Sequence, residues 1–448
     1  MATVTPARLV AGLRRPGGVA RGGAAGLAAA GVSAAAQFAL VVVVTRAVSA
    51  AEAGAFFAAT AVVLMAAGVA KLDAGNGLVF FLARARAAGH GKAAGHAGAA
   101  GHAGAAGPYG AAGYVRAATV PCVVAAAVAA VVLWPRVGPV AAVVPVVALG
   151  DVLLAATRGL GTLRPTVLLD GMALPAAQLA LVTVVALAGP PEWLPLAWGL
   201  PYVPVLVLAA VAVRGRVPRG PRVPGAGRDL WRYTAPRSFA GAIQAVFQRL
   251  DVVVVALLAG PAQAAVYTAA TRFKVVGQLA NQGLTQAVHA RLVSALARGE
   301  LARARELYQA ATIWLVLLTW PVWLAYAALA PWLLAVFGPA YGTAAPVALV
   351  LAATMMVATA CGMVDVVLTA AGHTGLSLLN LLAAVACTLA LDVALVPAHG
   401  ALGAVAGWSG GVLVKNLLPL WQLHRRYGLR PFGRHTPAAL RLRTWAAA

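Results

Sequence analysis

The feature that most constrains this chain is a series of apolar runs, each about 20 residues long, separated by Pro, Gly and Arg. A helix needs about 20 apolar residues to cross the ~30 Å hydrocarbon core of a bilayer. Hydrophobic residues make up 62% of the 448 residues and charged residues only 10%, whereas a soluble domain carries roughly 25% charged residues. The chain cannot cover itself with a polar surface, and we predict an all-α integral membrane protein.

The apolar runs predict about twelve transmembrane helices. Their approximate bounds are 24–48, 55–82, 115–133, 137–157, 165–188, 194–213, 237–259, 262–290, 307–330, 344–370, 376–396 and 402–423. The connections between spans differ in length, and those on one side are short: Gly189–Trp193, Gly260–Gln263 and Val396–Ala401. We therefore expect no sizeable extracytoplasmic domain.

Charge alternates between the two sides of the predicted membrane domain. Nearly all the excess Lys and Arg lie in alternate segments, whereas the opposite loops hold only Arg46 and Arg136 against Glu52 and Glu192. Basic loops remain in the cytoplasm, so we predict a multi-pass protein of the cytoplasmic membrane with both termini inside. A net charge of +23 would otherwise indicate nucleic acid; this placement indicates membrane lipids as partners and no nucleic acid.

The longest basic stretch in the middle of the chain divides the spans six and six. We predict an N-terminal six-helix lobe over residues 1–213, a basic cytoplasmic linker over 214–236, a C-terminal six-helix lobe over 237–424 and a basic cytoplasmic tail over 425–448. Residues 51–60 and 262–271 resemble each other and each opens the second helix of its half. Transporter sites lie between such repeats near the bilayer midplane.

Several charged residues fall inside the predicted spans, where ionisable groups are costly and mark functional sites. Arg249 and Arg272 each lie about 16 Å from the turn at Gly260-Pro261 at 1.5 Å per residue, which places both near the midplane. The charged residues close to them or at similar depth are Asp251, Lys274, Asp151 and Lys415. These four cations and two acids leave an excess of positive charge.

The positive excess has two interpretations. The cations can bind an anionic ligand such as a lipid pyrophosphate, for which Arg offers a planar fork of donors. Alternatively they pair internally, for instance Arg272 with Asp251, and the remainder snorkel to the interface. Asp151 and Asp251 are accordingly candidate cavity acids or ion-pair partners. Arg46, at the outer end of the first span, is a candidate gate residue or a snorkelling side chain.

Other features indicate neither catalysis nor cofactor binding. The Gly/Ala-rich loop 88–113 contains His90, His96 and His102 at a spacing of six residues, which does not bring them to one face of a helix. We interpret the loop as solvated low-complexity sequence without a metal. The chain contains no Walker motif. Asp392 lies one turn from the predicted outer end of its span. We expect no cofactor and no metal site.

The second half resembles the seventh and eighth helices of polysaccharide-biosynthesis flippases, which include O-antigen flippases, through "PRSFAGAIQAVFQRLDVVVVALLAGPAQAAVYTAATR". These proteins belong to the superfamily of multidrug-extrusion and lipid-flippase transporters. The segments "FGPAYGTAAPVALVLAA", "VLTAAGHTGLSLLN" and "DVALVPAHGALGAVAG" follow in the family order, and "VTRAVSAAEAGAFFAAT" matches more loosely in the first half. The order and spacing of the segments are the specific part of the resemblance.

The resemblance implies two six-helix lobes around a central cavity that opens alternately to each side. It also implies a saccharide substrate on undecaprenyl pyrophosphate, glycan-assembly proteins as further partners, and a cationic cavity to which Arg249 and Arg272 would contribute. Multidrug members carry an acidic residue in the first helix, where this chain has only Ser33, Gln37 and Thr45 as polar candidates. Lipid II flippases have fourteen helices rather than twelve.

Three functions compete on this basis. A flippase for a lipid-linked saccharide is the first, and a cation-coupled multidrug or metabolite antiporter of the same fold is the alternative. A polytopic glycosyltransferase or polymerase is the enzymatic alternative, but such enzymes need acidic or His residues in a large outer loop. Glu192 is almost alone in the predicted outer loops. We therefore predict a transporter and not an enzyme.

Overall fold

A computed structural model describes residues 16–93, 110–217, 225–433 and 436 of the chain, and its regular elements there are helices without any strand. We number the α-helices in chain order: α1 (Pro16–Ala47), α2 (Ala50–Ala70), α3 (Ala74–Ala93), α4 (Ala111–Val137), α5 (Val143–Gly159), α6 (Leu174–Ala188), α7 (Leu194–Gly199), α8 (Tyr202–Arg214), α9 (Ala226–Phe247), α10 (Leu250–Leu258), α11 (Pro261–Thr271), α12 (Lys274–Ala297), α13 (Leu301–Ala328), α14 (Ala330–Ala335), α15 (Ala345–Ala360), α16 (Val364–Ala370) and α17 (Thr374–Tyr427). A π-helical stretch, Thr166–Ala173, leads into α6.

Within the described residues, eight helical segments are long and apolar enough to cross a membrane, or nine when the bent pair α9 and α10 counts as one span. Two of them, Ala111–Gly159 and Thr374–Tyr427, contain 49 and 54 residues. At 1.5 Å per residue each is about twice as long as the hydrocarbon core is thick. Each also contains a break, a 3-10 turn at Gly138–Ala142 and a positive φ of 55° at Gly400. The chain is a multi-pass membrane protein, and the count of twelve spans stays a prediction.

Large apolar side chains cover much of the surface of these helices. Val131 on α4, Leu187 on α6 and Leu257 on α10 are 73%, 76% and 77% exposed. Burying such a side chain is worth roughly 1.5–3 kcal/mol relative to leaving it in water. Acyl chains supply that cover in a bilayer, so the exposed residues agree with helices that face lipid.

The chain divides into two compact units by its internal contacts. The first comprises residues 1–43 and 62–248, and the second comprises 44–61 and 249–448. The beginning of α2 thus belongs to the second unit, and α9 belongs to the first. The division into lobes at 1–213 and 237–424 stays a prediction, and residues 218–224 of the predicted linker lie outside the described residues.

Each unit has its own apolar core. In the first, α3, α4, α5, α8 and α9 bury Leu78, Cys122, Val152 and Leu230. In the second, α12, α13 and α16 pack with the last turns of α17 around side chains that include Leu292, Tyr308, Leu368 and Leu423.

Three of the predicted spans break at positions that have neither Pro nor Gly. The predicted span 55–82 breaks at Leu72 and Asp73, whose φ values are 50° and 52°. The predicted spans 237–259 and 262–290 break at Arg249 and at Arg272-Phe273. None of these breaks has a Pro or Gly, so the apolar pattern alone predicts continuous helices there.

Side chains from neighbouring helices bind the backbone at two of these breaks. In the first unit, the Ser238 hydroxyl donates to the Leu72 carbonyl at 2.6 Å and the Cys122 thiol to the Lys71 carbonyl at 3.2 Å. In the second, the Tyr326 hydroxyl donates to the Ala270 carbonyl at 2.8 Å. A backbone group that loses its helical partner in a membrane requires another partner. Because these partners are distant in the sequence, the hydrophobic periodicity of a single segment cannot predict them.

Candidate functional site

The candidate site in the second unit is built at helix ends. Helices α10 and α11 are joined by the turn at Gly260, whose φ of 88° favours glycine. Helix α10 begins after Arg249, which has φ −136° and ψ −4°, and α11 ends at Thr271, so Arg272 follows its last turn. Lys274 is the first residue of α12. Arg249, Arg272 and Lys274 therefore sit at breaks, where backbone groups lack helical partners.

Asp251 lies in the first turn of α10 and accepts three contacts. The Tyr267 hydroxyl donates to its Oδ2 at 2.7 Å, Lys274 Nζ lies 3.4 Å from the same oxygen, and the Val252 amide donates to Oδ1 at 2.9 Å. A carboxylate near a helix N-terminus is favoured by the helix dipole. The expected alternative pairing of Asp251 with Arg272 is wrong, because the ion-pair partner of Asp251 is Lys274.

Lys274 is held by aromatic rings as well as by this carboxylate. Its Nζ lies 4.4 Å from the centre of the Trp408 ring and 5.5 Å from that of Tyr267. The Lys274 side chain is 18% exposed and that of Asp251 is 12% exposed. A cation over an aromatic face is stabilised by the ring quadrupole, so the charge of Lys274 is already compensated within the second unit.

Arg272 lacks such compensation. Its Nε is buried and has no hydrogen-bond partner among the described residues. The charges that act on it are those of Arg249, which repels it, and Asp251, which attracts it from beyond ion-pair distance. A guanidinium carries five donors and stays ionised in proteins. The Nε donor therefore has no acceptor on the helices that the structure describes.

The remaining predicted cations lie on two elements of the same unit. Arg249 is exposed at the start of α10. Lys415 is half-buried on α17, seven residues after Trp408. Seven residues are about two helical turns, so both point to one face of α17. The structure thus brings Arg249, Arg272 and Lys274 together around Asp251, and puts Lys415 on the helix face that contacts Lys274.

Asp151 belongs to the first unit, on α5. Its Oδ2 is 3.4 Å from Lys71 Nζ, and the two side chains are 43% and 40% exposed. Asp73 in the same unit pairs with Arg237 at 3.1 Å. Asp151 therefore has an ion-pair partner within its own unit.

Arg46, the candidate gate residue, is an exposed side chain at the end of α1. Its Nε donates to the Val336 carbonyl at 2.7 Å and its Nη2 to the Ala335 carbonyl at 3.2 Å. These carbonyls lie at the C-terminal end of α14, where a cation is favoured by the helix dipole. The structure gives Arg46 the contacts of a helix cap.

Asp392 is the polar residue that sequence reasoning missed. It is 2% exposed, and its Oδ1 is buried without a hydrogen-bond partner in the described part of the chain. It is close enough for its charge to act on Asp251 and Tyr267. Helix α17 continues to its break at Gly400, eight residues or about 12 Å further on. Asp392 is therefore deeper than the one turn expected from the predicted span end.

Fold comparison relates the chain to solved transporters. It is similar to a multidrug resistance MATE family transporter of the MOP superfamily in an inward-facing conformation, with a TM-score of 0.67, 14% identity, and 89% of this chain and 95% of the other covered. It is also similar to the lipid II flippase MurJ, with a TM-score of 0.59, 9% identity, and coverage of 86% and 90%.

A third solved structure, a MOP superfamily transporter from Pyrococcus furiosus Vc1 whose binding pocket is described as reversed in polarity, matches with a TM-score of 0.56, 14% identity, and coverage of 90% and 93%. No protein-family model matches the sequence, and no curated protein matches it either. At these identities the likeness concerns the fold. The chain has the all-helical membrane fold of MOP superfamily transporters.

Proposed function

We propose that the protein flips a saccharide linked to undecaprenyl pyrophosphate across the cytoplasmic membrane for the synthesis of a cell-surface polysaccharide, by alternating access. The observation that carries this proposal is the environment of Arg272. A buried guanidinium nitrogen that has no hydrogen-bond acceptor among the described residues, next to a second arginine, favours an anionic ligand. The pyrophosphate of a lipid carrier is an anion of suitable charge inside a bilayer.

The geometry of the helix ends supports an anionic substrate. A side-chain contact joins the first turns of α10 and α12, because Lys274 of α12 lies 3.4 Å from the Asp251 carboxylate of α10. Backbone amides at helix N-termini bind phosphate oxygens, and discontinuous helices form the binding sites of many transporters. Arginine adds a planar fork that can bond two phosphate oxygens at once.

Charge balance in the second unit supports the same conclusion. The four cations are Arg249, Arg272, Lys274 and Lys415, and the nearby acids are Asp251 and Asp392. Taken together, these six described side chains carry two more positive than negative charges when both acids are ionised. A solved structure of the same fold is described as a lipid II flippase, and we extend a lipid-linked saccharide substrate to this chain on the strength of the cationic site.

The test is a glycan-export assay in a strain that lacks the chromosomal gene. Arg272→Ala and Arg249→Ala should each reduce surface glycan at least about tenfold, since the loss of one charged hydrogen-bond partner costs about 1.5–3 kcal/mol, while the protein remains at normal abundance in the membrane. Arg136→Ala is the matched control, because Arg136 is exposed at the end of α4 and donates only to the Val132 carbonyl.

Normal export by both variants at normal abundance would contradict the proposal. Accumulation of the lipid-linked saccharide on the cytoplasmic face in the Arg272→Ala strain is the second expected result. Accumulation distinguishes a block in transport from a block in synthesis, which would lower the lipid-linked pool instead.

A cation-coupled antiporter of the same fold is the second candidate, and Asp392 is the observation that favours it. A buried carboxylate oxygen without a partner is a site where a proton or a metal cation can compensate charge. An antiporter would make a deletion strain hypersensitive to cationic dyes, and Asp392→Asn would fail to rescue it. We expect no such hypersensitivity, because the first predicted span has no acidic residue, and its Gln37 donates to Gln178 at 3.2 Å.

A further inference from the structure

The first unit contains an open groove that the candidate site does not use. It lies between α4, α5 and α8 and has a volume of about 760 Å³, within the range of ~300–1,000 Å³ typical of small-molecule sites. Most of its lining residues are aliphatic, and they include Val120, Val123, Val124, Leu149 and Leu153.

Two arginines line the same groove. Arg116 is in the first turns of α4, and Arg214 is the last residue of α8. Both are exposed, and neither makes an ion pair with any residue that the structure describes. The charge pattern of the sequence places both at the cytoplasmic ends of their helices. The groove therefore presents two uncompensated guanidinium groups at the predicted depth of lipid headgroups.

The apolar wall extends from these arginines toward the middle of the bilayer. Val120 and Val124 on α4 are 52% and 58% exposed, and Val128 and Val131 continue the same exposed surface at 59% and 73%. Arg116 and Val124 are eight residues apart, or about 12 Å along the helix. One leaflet contributes about half of the ~30 Å hydrocarbon core, so the groove wall matches the length of an acyl chain in one leaflet.

We propose that this groove binds an anionic glycerophospholipid of the cytoplasmic leaflet, with its phosphate between Arg116 and Arg214 and an acyl chain along the valine wall. Charge complementarity identifies the occupant, because paired arginines bond phosphate oxygens and basic pockets between transmembrane helices bind anionic headgroups. The exposed wall is open to exchange with bilayer lipid. The site lies wholly within the first unit and does not depend on the flippase proposal.

The experiment is native mass spectrometry of the purified full chain after incubation with equal amounts of phosphatidylglycerol and phosphatidylcholine. The wild type should retain phosphatidylglycerol at least about fivefold over phosphatidylcholine, since each cation near an anionic headgroup contributes about fivefold in affinity. The double variant Arg116→Gln with Arg214→Gln should lose that preference. The double variant Arg116→Lys with Arg214→Lys should retain most of it, and Arg136→Gln should behave as wild type.

A second variant tests the apolar half of the groove. Val123→Trp fills the space beside Val120 and Val124, and should lower the retention of both lipids together without removing charge. Equal retention of the two lipids by the wild type would overturn the proposal. So would an undiminished preference for phosphatidylglycerol in the Arg116→Gln, Arg214→Gln variant. Free glycerophosphoglycerol, which has the headgroup without acyl chains, should not displace the bound lipid.

Discussion

The Lys274 ammonium lies 3.4 Å from the Asp251 carboxylate, across the break that separates α11 from α12. This pair leaves Arg272, two residues before Lys274, without an anionic partner at the same distance. The sequence predicts four cations and two acids at similar depth, but only the structure shows which cation Asp251 pairs with. The cluster thus contains a lysine with an ion-pair partner and an arginine whose Nε has no acceptor among the described residues.

We first predict that removing Lys274 destabilises the protein. In Lys274→Met the Asp251 carboxylate stays buried with only Tyr267 and a backbone amide as donors. Breaking a buried ion pair from one side costs roughly 3–5 kcal/mol, and we expect a clear fall in the midpoint of thermal unfolding in detergent. Lys274→Met combined with Asp251→Asn should recover most of the loss.

The matched control for this prediction is Lys71→Met in the first unit. The Lys71–Asp151 pair has the same 3.4 Å separation but side chains that are 40% and 43% exposed. Exposed pairs contribute about 0–1 kcal/mol, so the midpoint should barely move. Equal destabilisation by the two lysine substitutions would mean that burial does not govern the Lys274 pair.

The second prediction concerns Gly54 in the segment that resembles residues 262–271. A Cβ at Gly54 would overlap the backbone carbonyl of Pro261, and a backbone atom cannot move aside as a side chain can. Overpacking of this kind costs about 1–3 kcal/mol, so Gly54→Ala should lower the unfolding midpoint. Gly150→Ala is the control, because no atom lies within 4 Å of its added Cβ, and a helical Gly-to-Ala change there should be neutral or stabilise by up to ~1 kcal/mol.

Arg46 gives the third prediction. Because its contacts are to the last carbonyls of α14 and its side chain is exposed, Arg46→Ala should cost about 1 kcal/mol of stability, and Arg46→Lys about half as much. Glycan export measured per molecule of inserted protein should stay within about twofold of wild type. If Arg46→Ala abolished export without changing stability, Arg46 would instead act as the gate residue suggested by its position at the predicted membrane edge.

The fourth prediction concerns orientation, which the lipid groove also requires. A reporter that is active only outside the cytoplasm, fused after Phe432, should be silent, and the same reporter inserted after Glu192 should be active. Moving Lys and Arg across the membrane is costly, so the basic segments stay in the cytoplasm and set this orientation. Activity after Phe432 would require an odd number of spans before it.

Much of the fold could be predicted because bilayer thickness sets the length of apolar runs. The predicted turns at Gly189–Trp193, Gly260–Gln263 and Val396–Ala401 coincide with helix ends or breaks. At the last of these, Gly400 has a positive φ and the following amide donates to the Gln263 side chain at 3.0 Å. These turns could be predicted because they contain Gly or Pro, which end helices locally.

The breaks at Asp73, Arg249 and Arg272 could not be predicted in the same way. Each interrupts an apolar run without Gly or Pro, and the groups that satisfy the backbone, such as Ser238 and Tyr326, are distant in sequence. Arg249 also lies outside α10, so helical periodicity does not fix the direction of its side chain relative to that of Asp251. Asp392 was missed because its importance depends on Asp251 and Tyr267, which belong to other helices.

The last prediction separates substrate binding by Arg272 from a structural role. Arg272→Lys should restore only part of the export lost in Arg272→Ala, because an ammonium keeps the charge but loses the fork that bonds two phosphate oxygens. If Arg272 instead served to neutralise Asp251, its truncation would strand a buried carboxylate, and Arg272→Ala with Asp251→Ala would recover both stability and export. Asp251 is already bonded by Tyr267 and Lys274, so we expect Arg272→Ala to insert normally and the double variant to remain defective in export. Recovery of export in the double variant, measured as surface glycan per inserted molecule, would assign Arg272 to the ion-pair network and not to the substrate.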